Sequence, residues 1–313
     1  MLIKTKLSLL SLVVSLSVFF SCSTEKRKEI KEDKVKAALV NTFNYQPKKL
    51  VNGKLKAVIE LGASGFNSFV INVDAEKNWE IVNKEYGKSL ILDGEATVNG
   101  VNTILDQYLE EIKKLGVKGE DVHFVVSSGA EKEELTTIIK EELRKKNQKI
   151  TVVTAEEEGK YALKSVLPSE FNETAFVVDI GSGNTKISYL NKDEIFAVET
   201  YGSKYFKKGI PSNKVYDEVS TKAKNIPSEK RNVCFIIGGV PYQMAKKQRV
   251  NKERFTTLNK DVNFYNGLIE KKGDKVKSGL TIFKAINDTT TPNTIVFDWD
   301  ANFTIGFLLN LKY

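Results

Sequence analysis

The chain has 313 residues, 41% hydrophobic and 28% charged, which suffices for one large domain or two of about 100–150 residues with separate cores. That apolar content excludes a disordered chain, and 6 prolines with 20 glycines exclude a collagen-like or low-complexity one. A net charge of +8, from 48 Lys and Arg against 40 Asp and Glu, favours anionic partners without choosing among nucleic acid, phosphate chains and a lipid surface, while 2 cysteines and 1 histidine exclude four-ligand zinc sites and a disulfide framework. Acid–base chemistry is left to carboxylates, lysines and hydroxyls.

Lys4 and Lys6 form a basic start, and an apolar, serine-dotted run from Leu7 to Phe20 leads into Ser21-Cys22. The run is short for a bilayer span. A small residue directly before a cysteine here resembles a bacterial lipoprotein signal, which implies cleavage before Cys22 and lipidation of its thiol. An ordinary secretory signal with an incidental cysteine is the alternative, because Phe19 and Phe20 depart from the usual Leu-Ala/Ser pattern. The reading expects a signal peptide over 1–21, a lipid-anchored cell-envelope address and a Lys/Glu-rich tether over 22–53, with a short helix-like stretch from Val35 to Val40. The other cysteine, Cys234, lies within Val233-Cys-Phe-Ile-Ile237 and reads as a buried, inert thiol.

From residue 54 onward strands and helices alternate, the pattern of an α/β protein. Ala57–Leu61 and Phe69–Val73 read as strands. Val101, Ile104, Leu105, Tyr108, Leu109 and Ile112 have helical spacing, His123–Val126 is strand-like, Leu135 to Leu143 is an amphipathic helix, and Ile150–Val153 is again a strand. An internal repeat organises the rest. Ala57-Val-Ile-Glu60-Leu-Gly62-Ala-Ser-Gly65 precedes one return strand, and Ala175-Phe-Val-Val-Asp179-Ile-Gly181-Ser-Gly183-Asn-Thr185 precedes another over Lys186–Leu190. The two copies share an apolar strand, an acid, a glycine-bearing polar turn and a return strand. A period this long indicates two duplicated domains, expected over 54–172 and 173–313, with a cleft between them.

Glycines let such a turn bring its N–H groups close to a ligand, and successive N–H donors form an anion-binding nest. Ser64, Ser182 and Thr185 add hydroxyls. An acid at a strand end can hold a hydrated Mg²⁺ or position a water. Either turn alone is as well explained by a glycine-rich hairpin with no ligand; the matched pair points to phosphate.

At these residues the chain resembles the exopolyphosphatase / guanosine pentaphosphate phosphohydrolase (Ppx/GppA) family, within the actin–Hsp70–sugar kinase superfamily. The family's D-L-G-S-N-S-F-R and D-I-G-G-G-S-T-E turns correspond to Glu60-Leu-Gly-Ala-Ser-Gly-Phe-Asn67 and Asp179-Ile-Gly-Ser-Gly-Asn-Thr-Lys186. Val126-Ser-Ser128-Gly-Ala-Glu131 stands where the family has T-S-A-x-R, and Ala155-Glu-Glu-Glu-Gly-Lys-Tyr-Ala162 stands at its E-E motif. Glu199-Thr-Tyr-Gly202-Ser203, Phe235-Ile-Ile-Gly238-Gly239 and the ending from Ile295 to Leu309 are similar to its later motifs, so the resemblance covers about residues 54–313.

The resemblance implies two actin-like (ribonuclease H-like) domains and an enzyme, a phosphoanhydride hydrolase acting on polyphosphate or a related phosphorylated small molecule. It implies Glu157 as the water-activating carboxylate with Glu158 as its partner, and Glu60 and Asp179 as acids facing Mg²⁺. Phosphate would be cradled by Gly62, Ala63, Ser64, Gly65, Ser128, Gly181, Ser182, Gly183, Asn184, Thr185 and Lys186. For Glu156, Glu157 and Glu158 an acidic first helical turn in solvent is the alternative.

Four departures stand out. Asn67 and Glu131 replace arginines, Lys186 replaces the glutamate closing the second turn, and Glu60 lengthens an aspartate. Losing two bidentate phosphate ligands suggests either a different substrate or a catalytically impaired relative that binds a phosphorylated ligand or a protein at the envelope. Lys204, Lys207 and Lys208, with Lys246, Lys247, Arg249, Lys252 and Arg254, could line a polyanion channel or form a solvated face. Tyr201, Tyr205 and Phe206 interleave with bases but read more cheaply as core, and no nucleic-acid partner is expected. A homodimer is left open.

Overall fold

A computed structural model describes residues 43–62, 65–86, 98–131 and 134–312. Cys22, the Val35–Val40 stretch, Ala63 and Ser64 lie outside the described residues.

Two mixed sheets carry the fold. The first contains β1 (Lys54–Gly62), β2 (Gly65–Val73), β3 (Trp79–Tyr86), β4 (Val122–Val126) and β5 (Ile150–Val152), in the order β3-β2-β1-β4-β5. The second contains β6 (Ala175–Ile180), β7 (Asn184–Asn191), β8 (Glu194–Tyr201), β9 (Val233–Gly238), β10 (Phe255–Thr257) and β11 (Thr294–Asp298), in the order β10-β11-β9-β6-β7-β8. Read from β8, the second sheet repeats the first strand for strand and adds β10 at its edge. The directions repeat too: antiparallel within each opening meander, parallel from β1 to β4 to β5 and from β6 to β9 to β11. The internal repeat read in the sequence is thus a repeat of topology.

Burial explains the composition of the central strands. All six residues of β6 are buried, as a strand covered on both faces requires, and β1 is buried from Lys56 to Gly62. The helices are α1 (Val98–Lys114), α2 (Glu134–Lys145), α3 (Ala155–Val166), α4 (Ser212–Ala223), α5 (Gly239–Gln248), α6 (Asn266–Lys272), α7 (Asp274–Thr290) and α8 (Phe303–Asn310). Leu105 and Ile112 of α1 and Ile139 and Leu143 of α2 pack on the outer face of the first sheet with Ile59 and Phe124. Val215 of α4, Met244 of α5 and Phe283 of α7 cover the outer face of the second.

A third core lies between the sheets. Ala162, Leu163 and Val166 of α3 and Phe303, Ile305, Phe307 and Leu308 of α8 meet Val58 and Phe69 on one side and Val177 and Phe235 on the other. The C-terminal helix α8, expected within the second domain, therefore packs on α3 and β1. Phe43 and Tyr45, from the expected tether, also enter this region, edge-on to Phe255 and 5.4 and 5.7 Å from the Phe171 ring. No helix among the described residues is long and apolar enough to cross a membrane.

Candidate functional site

The C-terminal ends of the central strands open into one cleft of about 450 Å³. Ligands of open α/β sheets occupy this position, because the strand ends present turns and helix N-termini there. Glu60 and Gly62 line it from the first hairpin and Gly181, Ser182, Gly183 and Asn184 from the second. Ser127 and Gly129 follow β4, Glu158 comes from α3, and Gly238 and Gly239 follow β9.

The helix α3 sets the central carboxylate. Thr154 caps it: its hydroxyl accepts from the Glu157 N–H at 3.2 Å, and the Glu157 carboxylate accepts from the Thr154 N–H at 2.8 Å. This reciprocal cap occupies Glu157 on the solvent side, away from the cleft. Of the two glutamates expected to act, Glu158 lines the cleft and Glu157 does not. Gly159 allows this, since a Cβ there would stand 2.9 Å from the Ala197 Cβ and 3.5 Å from the Lys186 Cβ. With only hydrogen at that position, α3 lies directly on β7 and β8.

Glu158 is 2% exposed and both of its oxygens are engaged. Oε1 accepts from the Ser128 N–H at 2.6 Å, and Oε2 pairs with the Lys186 ammonium, itself 7% exposed. Lys186 sits opposite Asp179 in the β6–β7 register, and Asn67 sits opposite Glu60 in the β1–β2 register. The two acids thus hold equivalent positions with different partners. Glu60 Oε2 accepts from Asn67 at 3.0 Å and from Asn302 at 3.3 Å. Burial, opposed in part by the Asn67 hydrogen bond, and then the Glu158 and Asp179 charges push the Glu60 carboxyl up to about 7. Burial raises Asp179 as well, while the Lys186 ammonium pulls it down and Glu158 pushes it up.

The other expected residues divide. Gly65 pairs with Gly62 across the first turn. Ser128 Oγ is buried without a partner beside Glu158. Thr185 alternates with Asn184 and Lys186 along β7, so its fully buried side chain lies off the cleft. Gly202 braces the second turn: the amides of Ser203 and Lys204 hold the carbonyls of Gly181 and Ser182 at 2.9 and 3.0 Å. A Cβ on Gly202 would stand 2.4 Å from Asn184 N. Asn67 lines the cleft, and Glu131 is exposed outside it.

Of the two basic runs, the second is largely structural. Lys247 donates to the Phe264 carbonyl, Arg249 stacks 3.9 Å over Trp299, and Arg254 grips the buried Asp298 through two bonds while stacking on Trp79. From the first run, Lys204 and Lys207 lie near Lys275, which lines the cleft; burial and then these two charges lower its pKa. Tyr205 is buried, and Tyr201 and Phe206 pack against the same core, as the cheaper reading expected. Cys234 is fully buried, which pushes its thiol up. His123 rests against Phe307, away from the cleft, and burial pushes it down to about 4.

Sequence reasoning missed Asn302 and Lys275. The first has a signal, since Asn302-Phe-Thr before an apolar run is an N-cap and its Oδ1 accepts from the Thr304 N–H at 2.8 Å. Nothing local announces that its amide also reaches Glu60. Phe297, Trp299 and Tyr242, which form an aromatic wall of the cleft, were likewise unmarked.

The magnesium ion implied by the resemblance does not fit this arrangement. Among the described residues no three acid, histidine or cysteine side chains converge to ligate a metal. Glu158 has both oxygens taken, and one of its partners is a cation.

Two α/β units of the same topology with a cleft between them make a two-domain actin-like fold. No family model matches the chain, and no curated protein does. Solved structures do match, and they carry the Ppx/GppA fold. A Ppx/GppA family member from Aquifex aeolicus superposes with a TM-score of 0.63 at 15% identity, over 82% of this chain and 97% of its own. An exopolyphosphatase from Cytophaga hutchinsonii gives 0.60 at 16%, over 82% and 96%. An exopolyphosphatase-like protein gives 0.61 at 14%, over 83% and 98%. At such identities the likeness establishes the fold.

Proposed function

We propose that the cleft binds a phosphoanhydride, polyphosphate or a related phosphorylated small molecule, and releases its terminal phosphate by hydrolysis. One observation carries the reading: two equivalent hairpins bring their strand-end acids, Glu60 and Asp179, to one cleft together with Gly62 of the first and Gly181 to Asn184 of the second. Phosphoryl transfer asks mainly for positioning and charge stabilisation, which turn amides and fixed cations provide. Glu158 is the one glutamate of the three that lines the cleft, and it is assigned the orientation of an attacking water. Purified protein incubated with long-chain polyphosphate should release phosphate, and Glu158→Gln should abolish release while Glu157→Gln retains it. Release that survives Glu158→Gln rejects the assignment.

The alternative reading is binding without turnover. Polyphosphate binding with no release selects it. We further propose that a lipid on Cys22 tethers the protein to the cell envelope, on the strength of the basic start, the apolar run and Ser21-Cys22. Labelled fatty acid incorporated by the native chain and not by Cys22→Ser would support this tether.

A further inference from the structure

We propose that the Lys186 ammonium occupies the place of a divalent cation in this cleft, so that the site takes up a terminal phosphate group without a metal. This deepens the phosphate reading and rests on it.

Three carboxylates, Glu60, Glu158 and Asp179, lie within electrostatic reach of one another at the cleft floor. Buried acids at such spacing call for a positive charge among them. The fold provides one covalently. Lys186 pairs with Glu158, and the β6–β7 register sets it opposite Asp179, whose ionised form its charge also favours. Its Nζ lies 3.8 Å from where a Cβ on Gly181 would stand, directly under the turn that would cradle the phosphate. It is therefore placed to meet an oxygen of a bound phosphate and the acids beneath, as a bridging cation would.

Position and packing make the ammonium hard to displace. Both side chains of the pair are under a tenth exposed, and α3 is pressed onto the stem of Lys186 at Gly159. A divalent ion entering the same space would meet a fixed positive charge and a carboxylate whose two oxygens already have an amide and an ammonium as partners. Lys275, on the same cleft and with no carboxylate partner among the described residues, adds a second fixed positive charge for an anion. Ammonium donors suit phosphate oxygens because charge-assisted hydrogen bonds are short and strong.

The test is titration calorimetry of the metal-stripped full chain with inorganic tripolyphosphate, once in EDTA and once with excess Mg²⁺. The expected result is binding in EDTA, with an affinity no weaker than that with Mg²⁺. Lys186→Ala should weaken binding in EDTA by about tenfold or more, and Lys186→Arg should retain it. Binding that appears only with Mg²⁺ overturns the inference and leaves the phosphate reading standing. No binding in either condition overturns both. Should Lys186→Ala fail to fold, the wild-type arms still decide, as does electron paramagnetic resonance of added Mn²⁺: stoichiometric Mn²⁺ uptake by the ligand-free wild type overturns the tethered cation.

Discussion

The two hairpins of this protein hold equivalent places in their sheets and differ in the residue that stands opposite the strand-end acid. In the first, Glu60 faces Asn67, and the acid is held by neutral amides in a dry site. In the second, Asp179 faces Lys186, and an ammonium serves Asp179 and Glu158 together. Strand order and register are shared, and the partner opposite the acid changes from a neutral amide to an ammonium. A carboxylate buried among amides keeps its proton up to about pH 7, whereas one opposite an ammonium is drawn back toward the ionised form. The repeat thus sets an acid among neutral amides in one half of the cleft and an acid opposite an ammonium in the other.

Breaking the second half should have the largest effect. Lys186→Met leaves Glu158 and Asp179 buried without their cation and should cost about 3–5 kcal/mol in urea unfolding, the penalty for orphaning a buried charge. Adding Glu158→Gln should recover part of that loss. A cost under about 1 kcal/mol for the single variant would mean that the pair does not form.

The first half should respond to pH instead. Glu60 has a folded pKa near 7, above its unfolded value of 4.5, so the folded state holds the proton longer. Its contribution is full below 4.5 and is lost as pH rises through 7, on the order of 2–3 kcal/mol. Glu60→Gln should therefore be more stable than wild type at pH 8 and nearly equal to it at pH 4, as thermal or urea melts at both pH values would report. A flat difference between the two would contradict the burial of that acid. Asn67→Lys, which copies the second hairpin into the first, should lower the Glu60 pKa by about one unit or more, read by carbon NMR of the carboxyl.

A geometric variant sharpens the contrast at smaller scale. Gly202→Ala forces a Cβ against the backbone of the second turn and should cost about 1–3 kcal/mol, while the Glu60 titration stays unchanged. The smallest effect belongs to Glu157→Gln, which keeps an acceptor for the Thr154 N–H and should leave phosphate release as it was.

Much of the frame is legible in the chain itself. Ala57–Leu61 and Ala175–Ile180 are apolar because central strands are buried on both faces, and their shared acid and glycines reveal the duplication. The amphipathic stretches after residues 101 and 135 mark α1 and α2 by their spacing. The choice among Glu156, Glu157 and Glu158 is not legible, since three identical residues share one propensity. Helix phase decides it, and the phase is set by the Thr154 cap and by Gly159 against Ala197. The second basic run looks like a phosphate channel for a similar reason. Only tertiary partners such as Asp298 and Trp299 show that Arg249 and Arg254 are spent on structure.

By itself the sequence determined two α/β halves, a glycine turn after each strand-end acid, and a lysine where a carboxylate was expected. These are local matters of periodicity, residue type and spacing. Tertiary structure alone decided that α8 returns to the first half, that Asn302 reaches Glu60 across 242 residues, and that Lys186 closes on Glu158. Such pairings depend on which faces two sheets turn toward each other, and no stretch of chain contains that information.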